Sequence, residues 1–203
     1  EEKKGKEGWF GGVEVSAPGK VILFGEHSVV YGQPALASAT DRRTKLTLQL
    51  IAEPEIQIDM PDISLQLSLP FSRLAQFYPS SSSSSPPPSL PSDLSEERKS
   101  TLLSASHKVV EDVEKEKGKE ESSHNTAFLV LIYLYYCLFR EGREGEEEVG
   151  FRVSVCTDIP ISAGLGSSAA YSVCLAGGLL AMRTAIKKSE KPCNISDVLV
   201  NFG

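Results

Sequence analysis

Two segments rich in small residues hold the side chains that could do chemistry in this sequence. The segment at residues 16–27 combines a lysine, a glutamate and a histidine with glycines, and the segment at residues 160–170 places glycines directly before a serine pair. Glycine lets the backbone approach a bound anion closely, and a helix that begins at the serines would point its free N–H groups at that anion. The second segment is therefore predicted to hold a nucleotide phosphate.

This predicted phosphate loop also has a plainer explanation, a tight turn followed by a helix cap. Lys20, the one cation in the glycine-framed segment 16–27, favours the phosphate site because phosphoryl transfer depends on neutralising charge. Taken singly, Lys20, Glu26 and His27 match ordinary surface or structural residues, but together they form a candidate site. The loop lacks both the Lys-Ser or Lys-Thr of a Walker A loop and the spacing of a Rossmann G-x-G-x-x-G.

Alternation of apolar and polar residues predicts the strands that position these segments. An apolar face over residues 13–17 and an apolar run at residues 21–24 predict two strands joined by a short turn at Pro18-Gly19. The alternation recurs in three further strands and in a last strand that leads into the phosphate loop: residues 46–50, 56–58, 63–69 and 151–157. Breaks that contain proline separate the earlier strands, so an antiparallel meander is expected there rather than βαβ units.

Helices are predicted in the remaining segments with helical apolar spacing. One begins near Ser92 and extends towards Lys117, and its apolar side consists of Leu102, Leu103, Val109, Val110 and Val113. The next runs from Ala127 to about Arg140 and is apolar on nearly every side, so it should pack inside the domain. The last runs from Ser168 towards Ile186 and directly follows the phosphate loop.

Composition limits the classes of function and partner. The 203 residues are 40% hydrophobic and 24% charged, which is typical of a globular domain. A net charge of −6 argues against a nucleic-acid partner, because binding to a phosphate backbone relies on clustered Lys and Arg. The longest apolar run, residues 127–139, is shorter than the roughly 20 residues that span a bilayer, so no membrane association is expected.

The cysteines and the low-complexity segments complete this outline of the chain. The 4 cysteines form no C-x-x-C pair, which predicts reduced thiols and a cytosolic location, with a peroxisomal one left open. Residues 1–12 are predicted to be a disordered tail before a folded domain at residues 13–203. The serines and prolines of about residues 79–92 have no apolar periodicity and are predicted to form a mobile surface insertion.

The two small-residue segments, in this order, closely resemble the GHMP kinases. The matching residues are Ser16-Ala17-Pro18-Gly19-Lys20, Gly25-Glu26-His27 and Gly164-Leu165-Gly166-Ser167-Ser168-Ala169-Ala170. The residues that follow each segment, 29–32 and 170–175, resemble the branch of the family that phosphorylates mevalonate more than the branches that act on galactose, homoserine or phosphomevalonate. The clear resemblance covers about residues 13–50 and 153–180.

This resemblance implies a fold, an activity and partners. The fold would be α+β, like the second domain of ribosomal protein S5, with a mostly antiparallel sheet and helices packed on one face. The activity would be transfer of the γ-phosphoryl group of ATP, with Mg²⁺, to the C5 hydroxyl of (R)-mevalonate, giving 5-phosphomevalonate for isoprenoid and sterol biosynthesis. The partners would be this small-molecule substrate and, in the full-length protein, a second subunit of a homodimer.

The resemblance also assigns roles to the candidate residues of the catalytic and substrate sites. Lys20 would lie between ATP and mevalonate, where it would lower the pKa of the hydroxyl and neutralise charge in the transition state. Glu26 and His27 would lie on the substrate side.

The nucleotide contacts implied by the family lie in and before the phosphate loop. The loop would wrap the phosphates with Ser162, Ala163, Gly164, Leu165, Gly166, Ser167 and Ser168. Ser168 would also add its hydroxyl to the Mg²⁺ shell, and Thr157 would contact the nucleotide. Asp62 aligns approximately with an asparagine that lies near the nucleotide in the family, so the sequence has an anion where an amide is expected.

The sequence departs further from the family at its end. The catalytic aspartate, the Mg²⁺-binding glutamate and the third glycine-rich motif of the family would follow the helix that begins at Ser168, and no residue up to Gly203 matches them. We therefore expect a fragment that lacks the C-terminal domain and is poorly active or inactive alone. A truncated form that binds nucleotide without catalysis, and another small-molecule kinase of the family, remain the alternatives.

Overall fold

The structure is a computed structural model, and it describes residues 12–78, 94–117, 124–140, 148–160, 163–188 and 198–201. Apart from Gly12, which begins the first strand, the predicted N-terminal tail lies outside the described residues. The predicted insertion at residues 79–92 also lies outside them.

One six-stranded sheet organises the domain. Its strands are β1 (Gly12–Phe24), β2 (Leu36–Leu50), β3 (Glu55–Met60), β4 (Leu65–Pro70), β5 (Phe151–Thr157) and β6 (Val198–Asn201). The helices are α1 (Phe71–Phe77), α2 (Glu96–Lys117), α3 (His124–Leu134), which continues as π-helical turns over Tyr135–Arg140, and α4 (Ser167–Lys188). Short 3₁₀ helices cover Val29–Tyr31 and Pro61–Ile63. The predicted α+β class is confirmed.

The strand order is β4-β3-β5-β2-β1-β6. The pairs β1–β2, β2–β5 and β3–β4 are antiparallel, whereas β1–β6 and β3–β5 are parallel. The predicted meander is therefore wrong between β2 and β3, because β5 inserts between them. Alternation specifies which face of each strand is buried but not which strand lies beside it. Strand β5 lies in the middle of the sheet, where its side chains Phe151, Val153 and Val155 are buried.

The turn predicted at Pro18-Gly19 is also wrong, since β1 is one continuous strand of 13 residues. Pro18 pairs with Arg43 and Lys20 pairs with Ala39, so the register of β1 against β2 shifts between them. Such irregularities tolerate proline, which cannot donate a backbone hydrogen bond to the ladder. The shift lets the strand continue through the proline and carry Lys20 beyond it.

The core lies between one face of the sheet and the helices, as predicted for a sheet covered on one side. Buried side chains alternate along β1, β2, β3 and β5, and they include Val13, Val15, Leu46, Leu48, Ile56, Ile58, Phe151 and Val153. Helix α4 packs so closely on this face that a Cβ atom at Gly178 would lie 2.9 Å from Leu48 Cδ1. Glycine at this position therefore lets the helix backbone approach the sheet.

The predicted helices are present, with one difference in the faces they bury. In α2, Leu102, Val109, Val110 and Val113 are buried, but Leu103 is 40% exposed and does not belong to the apolar side. Helix α3 and its π-helical continuation pack inside the domain through Phe128, Leu131, Ile132, Tyr135 and Tyr136. Helix α1 follows β4 directly and was not predicted, because its seven residues are too few to show a helical period.

By length and composition, residues 167–186 of α4 would suffice to cross a membrane. The core helix of a soluble domain meets the same test, and α4 packs against β1 and β2 through residues such as Leu175, Leu179 and Gly178. Length and composition alone therefore do not indicate that α4 spans a membrane.

Candidate functional site

The predicted phosphate loop connects the end of β5 to the start of α4. Gly164 and Gly166 adopt φ values of +72° and +76°, a left-handed conformation that other residues rarely adopt. The backbone N–H of Ala170 donates to the Gly166 carbonyl at 3.0 Å, which closes the first turn of α4. By helix geometry the N–H groups of Ser167, Ser168 and Ala169 have no acceptor within the helix, so this terminus can bind an anion.

Lys20 of β1 lies against this loop. Its backbone N–H donates to the Leu165 carbonyl at 2.8 Å, and a Cβ atom at Gly166 would lie 2.8 Å from Lys20 Cγ. A Cβ atom at Gly19 would approach the Leu165 carbonyl and the Thr40 hydroxyl to 2.8 Å each. Because both glycines lack a side chain, the strand and the loop touch, and segments about 140 residues apart in sequence share one site.

A cavity of about 190 Å³ opens beside the first turn of α4. Its polar lining includes four of the predicted nucleotide residues, Asp62, Thr157, Ser167 and Ser168. The rest of the lining is mostly apolar and comes from the end of β3 and the 3₁₀ turn after it, from β5, from the start of α3 and from α4: Met60, Ile63, Ala127, Val130, Val155 and Tyr171. The cavity therefore offers an apolar wall next to a helix N-terminus, a combination suited to a ligand with a flat apolar part and an anionic part.

Asp62 and Thr157 are in direct contact at the edge of this cavity. Asp62 Oδ2 accepts a 2.7 Å hydrogen bond from the backbone N–H of Thr157. The Thr157 hydroxyl is 2.9 Å from the hydroxyl of Thr44 and accepts a 3.2 Å hydrogen bond from the N–H of Ile159. The carboxylate therefore ties the 3₁₀ turn Pro61–Ile63 to the end of β5, a structural role that the sequence did not indicate.

The other predicted site residues that the structure describes do not line the cavity. Glu26 and His27 are exposed in the turn that follows β1, and neither they nor Lys20 line the cavity. Ala163 is exposed within the loop, and Leu165 is partly buried. Ser162 lies outside the described residues.

The lining residues Met60, Ala127, Val130 and Tyr171 were not predicted as site residues. The apolar ones are indistinguishable in sequence from core residues, so no pattern could have identified them. Tyr171 carried a weak signal, because it stands in the family-like stretch directly after the loop.

The described protein groups at this site could supply only some of the oxygen ligands that Mg²⁺ requires. Among the described residues, no group of three or more His, Cys, Asp or Glu side chains is arranged to hold a metal ion. Mg²⁺ in nucleotide sites needs only one or two protein oxygens, since the phosphates and water supply the others. The exposed hydroxyl of Ser168 at the start of α4 is such an oxygen, and it fits an ion that arrives with the nucleotide.

Among the described residues, Cys137, Cys156 and Cys174 form no disulfide. Cys193 lies outside the described residues. Cys174 is buried in α4, with Sγ 3.4 Å from the Thr44 carbonyl, and burial raises the pKa of its thiol to about 11.

Comparison with known proteins agrees with the family that the two segments resemble. The model of the GHMP kinases N terminal domain matches residues 130–196. The mevalonate kinase of Homo sapiens is 34% identical over 169 residues, which are 82% of this chain and 38% of that protein. The mevalonate kinase of Pyrococcus furiosus is 32% identical over 193 residues, 93% of this chain and 45% of that protein. The mevalonate kinase of Candida albicans is 34% identical over 180 residues, 86% of this chain and 38% of that protein.

A crystal structure of the Methanococcus jannaschii mevalonate kinase superposes with a TM-score of 0.46 and 23% identity, covering 82% of this chain and 38% of that one. The chain thus spans about two fifths of the length of the relatives it matches. Over most of its own length the chain is similar in sequence to mevalonate kinases, and its residues 130–196 match the N-terminal domain of the GHMP kinases.

Proposed function

We propose that this chain supplies the nucleotide-binding half of an ATP-dependent kinase that phosphorylates (R)-mevalonate at its C5 hydroxyl to give 5-phosphomevalonate. One observation carries the proposal, the contact of Lys20 with the glycine loop at the N-terminus of α4. It places a cation beside free helix N–H groups, which is the pairing that a transferred phosphoryl group requires. The sequence similarity to mevalonate kinases supports the choice of substrate.

The roles of the loop follow from its geometry. The N–H groups of Ser167, Ser168 and Ala169 would bind phosphate oxygens, aided by the helix dipole. The Ser168 hydroxyl would hold the Mg²⁺ that accompanies ATP and neutralises the charge on its phosphates. The Lys20 ammonium would stabilise charge that develops on the transferred group and lower the pKa of the acceptor hydroxyl.

The cavity beside the loop would take the nucleoside part of ATP. Its largely apolar lining suits a flat aromatic base, and it begins next to Ser167 and Ser168, where the phosphates would bind. Asp62 and Thr157 lie at its edge, and a carboxylate there accepts hydrogen bonds only, so it would favour a nucleoside group that donates one.

The mevalonate side of the site would lie towards the turn that carries Glu26 and His27. This turn is surrounded by exposed apolar side chains, which we call the apolar tip: Leu23, Phe24, Val29, Val30, Tyr31 and Leu36. Each is 49–82% exposed, and clustered apolar side chains normally pack against a partner surface. We propose that the C-terminal part found in the longer relatives covers the apolar tip and supplies the carboxylates that complete catalysis.

Further parts of the proposal concern the whole protein. It would act in the cytosol, in keeping with described cysteines that form no disulfide, and it would assemble as a homodimer when full length. The second candidate function is nucleotide binding without catalysis, for which the glycine loop and the N-terminus of α4 would suffice.

An ADP-release assay tests the proposal with ATP, Mg²⁺ and one of three acceptors, mevalonate, galactose or homoserine. We expect little turnover by the 203-residue chain alone, and mevalonate-specific turnover by a longer chain that continues into the C-terminal part. In the longer chain, Lys20→Met should abolish this turnover. Preference for galactose or homoserine would contradict the substrate, and no turnover by the longer chain would favour the non-catalytic alternative.

A further inference from the structure

Tyr171 connects the elements that surround the cavity. It stands in the second turn of α4, and its hydroxyl donates a 2.7 Å hydrogen bond to the carbonyl of Ala127 in α3. The same hydroxyl is 3.8 Å from Sδ of Met60 at the end of β3. Because Ala127, Met60 and Tyr171 all line the cavity, one side chain joins three of its walls.

We infer that Tyr171 is a positioning residue, which fixes the start of α3 and thereby sets the width of the cavity that would hold the nucleobase. This inference rests on the proposed function, since it assigns the cavity to the nucleoside part of ATP. Tyr171 is assigned no contact with the phosphates, so its substitution should weaken binding of the base alone.

The start of α3 is the part of the cavity wall that would move most easily without the hydrogen bond from Tyr171. The helix begins at His124, and Ala127 lies in its first turn, where the backbone N–H groups have no acceptor within the helix. The first turn of a helix is the part that frays most easily, because fewer hydrogen bonds hold it. The hydroxyl of Tyr171 in α4 donates to the carbonyl of Ala127 in this turn and so limits the movement of the turn.

A fixed width matters because a flat base would be held mainly by dispersion. A gap of about 0.5–1 Å between the base and the wall would forfeit a quarter to a half of the attraction of each contact. Phosphate binding should be far less sensitive to the same gap, because the N–H groups that would bind the phosphates, those of Ser167, Ser168 and Ala169, belong to α4 and not to α3.

The hydroxyl of Tyr171 remains a hydrogen-bond donor at all ordinary pH values. Burial raises the pKa of this phenol well above its usual value of 10.0. The tie between α4 and α3 therefore does not depend on pH in the neutral range.

The test compares Tyr171→Phe with the wild-type chain by isothermal titration with ATP and with inorganic tripolyphosphate. The variant keeps the ring and loses only the hydroxyl. We expect the Kd for ATP to rise about fivefold to tenfold and the Kd for tripolyphosphate to stay unchanged. Hydrogen exchange at residues 124–131 should become faster in the variant.

Tyr136→Phe is a matched control for the loss of a buried hydroxyl. Tyr136 is fully buried, and its hydroxyl donates a 3.0 Å hydrogen bond to the carbonyl of Leu74, away from the cavity. This variant should lower the melting temperature about as much as Tyr171→Phe does and leave both Kd values unchanged.

Equal ATP affinity of Tyr171→Phe and the wild type would overturn the inference. An equal loss of ATP and tripolyphosphate binding would also overturn it, because that result indicates a general structural role. If the wild-type chain binds neither ligand, the proposed function fails and the inference fails with it, which separates that failure from the other two.

Discussion

At the scale of single residues, the candidate site depends on the contact between Lys20 and Gly166. The lysine could be identified from the sequence as the one cation in a glycine-framed segment, but its position against the loop could not. That position follows from the register shift after Pro18 and from the absence of a side chain at Gly19 and Gly166. Such close approaches depend on tertiary packing, which local sequence patterns do not specify.

Substitution of the loop glycines separates two roles of glycine, the left-handed backbone conformation and the space for Lys20. Gly164→Ala and Gly166→Ala both place a Cβ atom on a left-handed residue, which costs about 1–2 kcal/mol of stability. Only the Gly166 Cβ meets Lys20, at 2.8 Å from Cγ, whereas the Gly164 Cβ has no neighbour within 4 Å among the described residues. We therefore expect Gly166→Ala to melt at a lower temperature than Gly164→Ala, because Lys20 must also shift, and we expect only Gly166→Ala to weaken binding of Mg·ATP, by about tenfold, which corresponds to about 1.4 kcal/mol.

Titration calorimetry and thermal melts of both variants check this expectation. Equal ATP affinity of the two variants would show that displacement of Lys20 has no effect on the phosphate site.

At the scale of elements, the sequence predicted most strands and helices but not their neighbours. The alternation of apolar and polar residues was sufficient to predict β3, β4 and β5, because each of these strands has one buried face. The insertion of β5 between β2 and β3 could not be predicted, since parallel pairing of β3 and β5 joins segments about 95 residues apart. The first half of β2 was missed because its residues are mostly exposed and show no alternation.

The same limit applies to the residues that were expected near the nucleotide. Thr157 and Asp62 were both predicted to lie near the nucleotide from the family resemblance, and the structure brings them into contact. The sequence could not show that Asp62 accepts its hydrogen bond from the backbone N–H of Thr157. A carboxylate suits this place because it accepts the N–H, whereas an amide would need its oxygen turned towards it.

The contact of α4 with the sheet predicts a dependence of stability on pH. Burial raises the pKa of Cys174 from 9.0 to about 11, so the thiol ionises more readily in the unfolded chain. This contribution to stability is complete below pH 9 and is lost as pH rises towards 11. Between pH 9 and 10 it should lower the free energy of unfolding by about 1 kcal/mol.

Urea unfolding of the wild type, Cys174→Ala and Cys156→Ala across this pH range tests that contribution. Cys174→Ala should reduce the pH slope between pH 9 and 10, although it also lowers stability at neutral pH by leaving a cavity. Cys156 is exposed, so Cys156→Ala should keep the wild-type slope. An unchanged slope in Cys174→Ala would contradict the buried thiol as its source.

At the scale of the whole molecule, the apolar tip gathers six exposed apolar side chains on one surface. Phe24 pairs with Leu36 across β1 and β2, and both side chains are more than half exposed. The tip lies next to Glu26 and His27, which the family resemblance places on the substrate side. Under the proposed function, the same surface would contact the C-terminal part found in the longer relatives and would border the substrate site.

Exposure of the apolar tip predicts self-association of the chain when it is isolated. The double variant Phe24→Ser/Tyr31→Ser should remain monomeric in sedimentation velocity at concentrations at which the wild type associates, because it removes two of the most exposed apolar side chains. Leu103→Ser is the control, since Leu103 is an exposed apolar residue on α2 outside the tip. If Leu103→Ser reduces association as much as the double variant does, the tip is not the surface responsible.

Lys20 and the glycine loop would together form a site for the phosphates of ATP, and the proposed function depends on this site. Isothermal titration of Mg·ATP into the wild-type chain and into Lys20→Met tests it directly, because methionine keeps the aliphatic stem that packs on Gly166 and removes only the charge. Circular dichroism checks that both chains are folded. We predict binding by the wild type and a loss of affinity of tenfold or more, about 1.4 kcal/mol, in Lys20→Met. A folded wild-type chain that does not bind Mg·ATP, or equal binding by both chains, would contradict the claim.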